Sequence, residues 1–104
     1  MRTVDLTRPI PSGADPRRVA WLTGHLKARL LDFGPGGPEV VSADPAAGRV
    51  TARFPGLEPA AAAARLAEKG ISLLTENDCA LFCLHPDVRF EDLDYVWGCL
   101  FEIL

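Results

Sequence analysis

Between residues 16 and 33 apolar side chains recur at three- and four-residue steps, so Val19, Leu22, Leu26, Leu30 and Phe33 share one face of a predicted helix. Asp15 stands where an N-cap belongs, and Pro16 at the first helical position loses no needed donor. Gly34-Pro35 stops the helix. Arg17, Arg18, Lys27 and Arg29 fall on the other side and are expected to form a solvated face. The period then changes to two. EVVSA (39–43) and RVTARF (49–54) read as strands joined by DPAAG, and Val50, Ala52 and Phe54 alternate with Thr51 and Arg53. That alternation describes a sheet with one face on a core and the other facing elsewhere.

A second helix is expected from Pro59 through a run of alanines to Gly70, a left-handed terminator. Residues 71–75 read as a third strand, ENDC as a turn, and Cys79–His85 as a fourth strand ended by Pro86. Asp87 is a candidate cap for a last helix over 90–104. At the other end TVDLT (3–7) is β-prone but short, and the prolines that follow make residues 1–14 an arm or an edge strand. The order (β)αββαββα predicts an α+β two-layer sandwich over residues 15–104, a small sheet with helices on one face. A ferredoxin-like βαββαβ path can also be traced through residues 3–75, and it would suit a regulatory domain for small ligands.

Composition narrows the function classes. The 104 residues are 48% apolar and 24% charged, with a net charge of -3 spread along the chain. One core is expected. No basic stripe with interleaved aromatics suggests nucleic acid, and no run approaches the roughly 18 apolar residues that a membrane span needs. The opening residues lack an apolar run of signal-peptide length, so the expected compartment is the cytoplasm. Three cysteines, Cys79, Cys83 and Cys99, are no disulfide framework.

Several phrases, in order, resemble the small C-terminal domain of pyridoxal-phosphate enzymes of the aminotransferase class V group, which includes the cysteine desulfurases. VAWLTGHLKARLLDF with its Gly-Pro loop is similar to the helix leading into that domain. RVTARFPGLEPAAAAARLAEKGISLL is similar to its strand, helix and next strand, and Glu91-Asp92-Leu93-Asp94 to the acidic start of its last helix. The resemblance implies that the Schiff-base lysine and the phosphate cup belong to a larger domain. No cofactor is therefore expected in this chain alone, and pyridoxal phosphate only if a separate large domain is supplied. It also implies a substrate-gripping arginine on the penultimate strand, a position that falls on about Leu81. Arg89 is the nearest arginine, beyond Pro86 in the turn.

Strand geometry bears on two sharper sites. Extended residues 79–85 would place Cys79, Leu81, Cys83 and His85 on one face and Ala80, Phe82 and Leu84 on the other. Alternate positions lie about 7 Å apart, so Cys79 and Cys83 are too distant for one ion, and no metal site is expected. Cys83 with His85 could form a nucleophile pair, but no third group orients it. Cys83, His85 and Arg89 therefore stand only as reactive or ligand-facing candidates, and no catalytic residue is assigned. His25, among polar neighbours, reads as a surface histidine.

The last helix is apolar almost all round. Leu93, Val96, Trp97, Leu100 and Leu104 make one stripe, and Tyr95, Cys99, Phe101 and Ile103 widen it. A second cover is implied. Tyr95, Trp97, Phe101 and Leu104 are the candidate interface, with a homodimer or a large-domain protein as partner and the arm at 3–11 as an internal alternative. The expected function is thus a non-catalytic, self-associating binding or interaction module, with a subunit of a split pyridoxal-phosphate enzyme as the rival reading.

Overall fold

The computed structural model describes residues 2–104. In chain order these contain β1 (Val4–Leu6), α1 (Pro16–Leu31), β2 (Glu39–Asp44), β3 (Arg49–Arg53), α2 (Pro59–Glu68), β4 (Ile71–Glu76), β5 (Cys79–Cys83) and α3 (Phe90–Ile103). The sheet order is β1-β4-β5-β3-β2, with β1 parallel to β4 and every other neighbouring pair antiparallel. The architecture is the α+β domain expected from the pattern. Residues 4–6 are an edge strand, and Val4 and Leu6 are buried in the common core.

The ferredoxin-like path does not hold. β4 reaches β3 only through β5, and β1 lies outside β4, so residues 3–75 do not close a sheet of their own. The physical reason is the β4–β5 hairpin. Its two-residue loop is Asn77-Asp78, both with positive φ (51° and 61°), and such a turn matches the strand twist and forces β5 against β4.

One face of the sheet carries the core. Val50 pairs with Phe82 and Ala52 with Ala80, all fully buried beneath Leu22, Leu26 and Leu30 of α1 and Leu93, Val96 and Leu100 of α3. α1 packs over β2 and β3, α2 over β4 and β5, and α3 touches both helices. Because α2 contributes only Pro59, Ala62 and Leu66 to the interior, its alanine-rich body takes little room. α3 therefore finds cover on two flanks within a two-layer fold.

Local chemistry sets the helix ends. The Asp15 carboxylate accepts from the Arg17 N–H (2.9 Å), as an N-cap should. For α3 the capping carboxylate is Asp92 rather than Asp87: it accepts from the Arg89 N–H (2.9 Å) from within the first turn. Asp92 also receives Arg2 Nη1 at 2.7 Å, which ties the chain's first described residue to α3.

Two of the four basic residues assigned to the solvated face of α1 are working contacts. Arg18 donates to the carbonyls of Pro86 (3.3 Å) and Val88 (2.9 Å) and lies over the Phe90 ring, and Arg29 Nε donates to Asp94 (3.0 Å). His25 Nε2 stands 2.8 Å from the same Asp94 oxygen and meets Phe90 edge-on. It is half-buried in the α1–α3 seam, because α3 brings a carboxylate to a position that the helix pattern of α1 could not show. Arg17 and Lys27 remain exposed.

Gly48 is a tight junction between the arm, α1 and the end of β5. Its φ is +65°, its carbonyl accepts from Leu84 N (2.8 Å), and a Cβ there would lie 2.8 Å from Val19 Cγ1, 2.9 Å from Ile10 Cδ1 and 3.1 Å from the Leu84 carbonyl. Gly48→Ala is accordingly expected to cost about 1–3 kcal/mol from the left-handed backbone, plus the clash. Urea unfolding will read this as a lower midpoint at unchanged slope.

The seam predicts an acid limb. The hydrogen bond with His25, and then the Arg29 charge, hold the Asp94 carboxyl below its usual 3.8. Its contribution is complete above that value and is lost as pH falls through the lower folded one. Stability measured from pH 5 downward should therefore fall less steeply in Asp94→Asn than in the parent protein.

Candidate functional site

All three helices lie on one face of the sheet, which leaves the other face free of them. Strand register places Thr51, Leu81 and Leu74 in one row across it, with Arg49 opposite Cys83 on one side and Glu76 opposite Cys79 on the other. Arg53 extends the same alternation. Leu81, the position at which the resemblance implies an arginine, sits half-buried in the centre of this face. The guanidinium groups here come instead from β3, which the sequence reading did not single out.

The segment after β1 crosses one end of the face and divides it. On one side a groove of about 500 Å³ is lined by Arg8, Ile10, Arg49, Leu74, Leu81 and Cys83. On the other a smaller pocket of about 200 Å³ is lined by Thr3, Asp5, Arg8, His85, Asp87 and Asp92. Arg8 belongs to both walls.

This division separates Cys83 from His85. β5 ends at Cys83, Leu84 is anchored to Gly48, and the chain turns so that Cys83 faces the groove and His85 the pocket. Burial pushes the Cys83 thiol above its usual 9.0, against the favourable charge of Arg49. A nucleophilic cysteine needs the opposite shift. Cys79 and Cys99 are buried free thiols, and among the described residues no three His, Cys, Asp or Glu side chains gather as a metal site.

His85 is 6% exposed and tightly held. The Asp87 N–H donates to its Nδ1 (3.1 Å), and Arg8 Nη2 lies 3.1 Å from its Nε2. Asp5, on β1, accepts from the Thr7 hydroxyl (2.6 Å) and the Thr7 N–H (3.0 Å), and those bonds hold its carboxyl below 3.8, with Arg8 and His85 adding to the effect. No spacing in the sequence could have joined Asp5 and Arg8 to His85, which lies 77 residues beyond Arg8. Arg89 is exposed at the start of α3 and contributes its backbone to the cap.

The four interface candidates divide. The Tyr95 hydroxyl donates to the Lys69 carbonyl (2.6 Å), and Trp97 lies under Arg29 and edge-on to Phe33 and Phe101. Phe33, just past the end of α1, stacks on Phe101 at 4.2 Å. Phe101 and Leu104 nonetheless stay 51% and 40% exposed.

No protein-family model matches the chain, and no curated protein sequence does. Solved structures do. The fold matches a cystine C-S lyase, C-DES, in complex with its reaction product cysteine persulfide, over 81% of this chain and 23% of that one (TM-score 0.71, 23% identity). It also matches a NifS-like protein over 85% of this chain and 27% of the other (TM-score 0.72, 16% identity). The chain thus spans about a quarter of the length of these structures and has the fold of that part, the aminotransferase-like α+β fold that the sequence resembles.

The residues present do not suit a Schiff base to pyridoxal phosphate. Lys69 is bonded to Glu102, and that bond raises its ammonium above the usual 10.5, whereas an amine nucleophile needs a lowered value. Lys27 is exposed on α1. For the cysteines the expectation is slow chemistry: Ellman's reagent should find no fast thiol in the native protein and three after denaturation.

Proposed function

We propose that the chain is a non-catalytic binding or interaction module built on the aminotransferase small-domain fold, and that it self-associates. The observation that carries this reading is the apolar end of α3. Phe101, stacked on Phe33 and edge-on to Trp97, and Leu104 stand exposed, and Trp21 and Leu31 on α1 are 65% and 58% exposed. Large apolar side chains left open in this number favour a protein partner. A second copy is the commonest one, because a two-fold axis lets the same patch cover itself.

Light scattering is expected to give a mass near twice the 11.2 kDa of one chain. Phe101→Glu should return it to the single-chain mass with its circular dichroism unchanged, since the half-exposed ring can be replaced without opening the core. A parent protein of single-chain mass at all concentrations refutes self-association.

A second reading is favoured by coverage. The matched structures contain about three times as much chain again beyond the shared part. A separate polypeptide carrying such a larger domain, with its pyridoxal phosphate, could dock on the helix-free sheet face, where Arg49 and Arg53 flank Leu81. Co-purification with such a polypeptide, lost in Leu81→Glu, tests this. A monodisperse homodimer indifferent to the polypeptide rejects it.

A further inference from the structure

α1 is apolar on two sides. Val19, Leu22, Leu26 and Leu30 face the core, while Trp21, Gly24, Ala28 and Leu31 recur at steps of three and four residues along the opposite side. All four of the second set are exposed, and Trp21 and Leu31 are the two most exposed large apolar side chains among the described residues. Nothing within the chain covers this stripe. α3 runs beside α1 in the same direction, since His25 meets Asp94, Arg29 lies over Trp97 and Phe33 stacks on Phe101. Leu31 and Phe101 therefore emerge at one end of the helix pair and Trp21 at the other. Between them the surface is low: Ala28 is small, and a Cβ added at Gly24 of α1 or Gly98 of α3 would meet no neighbouring element within 4 Å.

Bulk at both ends of a low floor fits a second copy of the same surface turned end for end. Trp21 of each copy then reaches Leu31 and Phe101 of the other, and Gly24 crosses Ala28, where small side chains let two helices approach closely. Charge selects the same orientation. Arg17, one turn before Trp21, and Asp32, next to Leu31, are both exposed. End-for-end pairing sets each beside the opposite charge of the other copy, whereas a parallel pair sets like against like, and the helix dipoles add to the difference. A parallel two-fold would also carry the two α3 helices to opposite sides and leave Phe101 bare. A single helix ridge covers less than the roughly 800 Å² per partner of a stable complex, so the contact needs α3 as well as α1.

We propose that the outer surface of α1 and α3 is the interface with a second copy of this chain, the two α1 helices lying antiparallel across Gly24 and Ala28, with Trp21 of each copy seated against Leu31 and Phe101 of the other. The inference rests on the self-association reading and gives it an orientation and an anchor. The two-fold axis passes beside α1 at the level of Leu26, and the same rotation lays α3 of one copy along α3 of the other. Trp21 is the anchor, because it carries the largest exposed apolar surface into a place where Leu31 and Phe101 also need cover.

The test combines light scattering with directed cross-linking of the full chain. Trp21→Glu and Gly24→Glu are each expected to give the single-chain mass with the circular dichroism of the parent, since both positions are exposed and neither change opens the core. In the antiparallel pair the two copies of position 21 lie about 15 Å apart along the helices, beyond the reach of a disulfide, and so do the two copies of position 31. Position 21 of one copy faces position 31 of the other. Trp21→Cys and Leu31→Cys, oxidised as an equal mixture, are therefore expected to yield about tenfold or more cross-linked dimer than either variant oxidised alone. The three native thiols are buried and do not compete. A parent dimer whose mass survives both glutamate substitutions overturns this interface and leaves self-association standing. Cross-linking of either variant by itself, which marks a parallel pair, does the same, as does a mixture that keeps the dimer mass without cross-linking. A parent protein of single-chain mass at all concentrations removes both.

Discussion

Everything in this domain depends on one-sided cover of the sheet. β3 and β5 pair so that Val50, Ala52, Ala80 and Phe82 project to one side, and all three helices lie against that side. The same alternation sends Arg49, Thr51, Leu81 and Cys83 to the other. Because a strand has a period of two, the core and the helix-free face are not independent designs. A register slip of one residue would exchange them.

The helices repeat this economy. Alanine-rich α2 takes little volume, so α3 can lie against it and α1 together, and most of its apolar circumference is used inside the chain. What remains uncovered is its last turn, where Phe101 and Leu104 emerge beside Phe33. Polar seams complete the packing. Asp94 gathers His25 and Arg29 of α1, Arg18 holds the turn before α3, and Asp92 both caps α3 and receives Arg2. Each is a charged side chain that a helical wheel would place in solvent.

The arm after β1 has the largest consequence for function. It crosses the end of the sheet, anchored where Gly48 permits close approach of Ile10, Val19 and Leu84, and it divides one open surface into two sites of different character. The groove has Cys83 and apolar walls. The pocket has His85, Arg8 and carboxylates. A cysteine–histidine pair that looks plausible along an extended strand is thereby separated, and the histidine acquires a partner from the opposite end of the chain.

The elements were legible in the sequence because their signals are local. Asp15-Pro16 starts a helix, Gly34 and Gly70 follow helix ends, Asn77-Asp78 turns a hairpin, and the two-residue alternation of RVTARF marks an inner and an outer face. These are matters of dihedral preference and period, set by neighbouring residues. Strand order was not legible, since a path through residues 3–75 gives no sign that β5 will enter between β4 and β3. The candidate site was legible only in part. His85 and Cys83 could be named, but Asp5 and Arg8 could not be joined to them, because their meeting depends on parallel pairing of β1 with β4 across 66 intervening residues. Sequence by itself determined which residues form helices and strands and which sides of them are apolar. Only the tertiary structure decided which charges face each other, because that follows from how separate elements pack and not from any local rule.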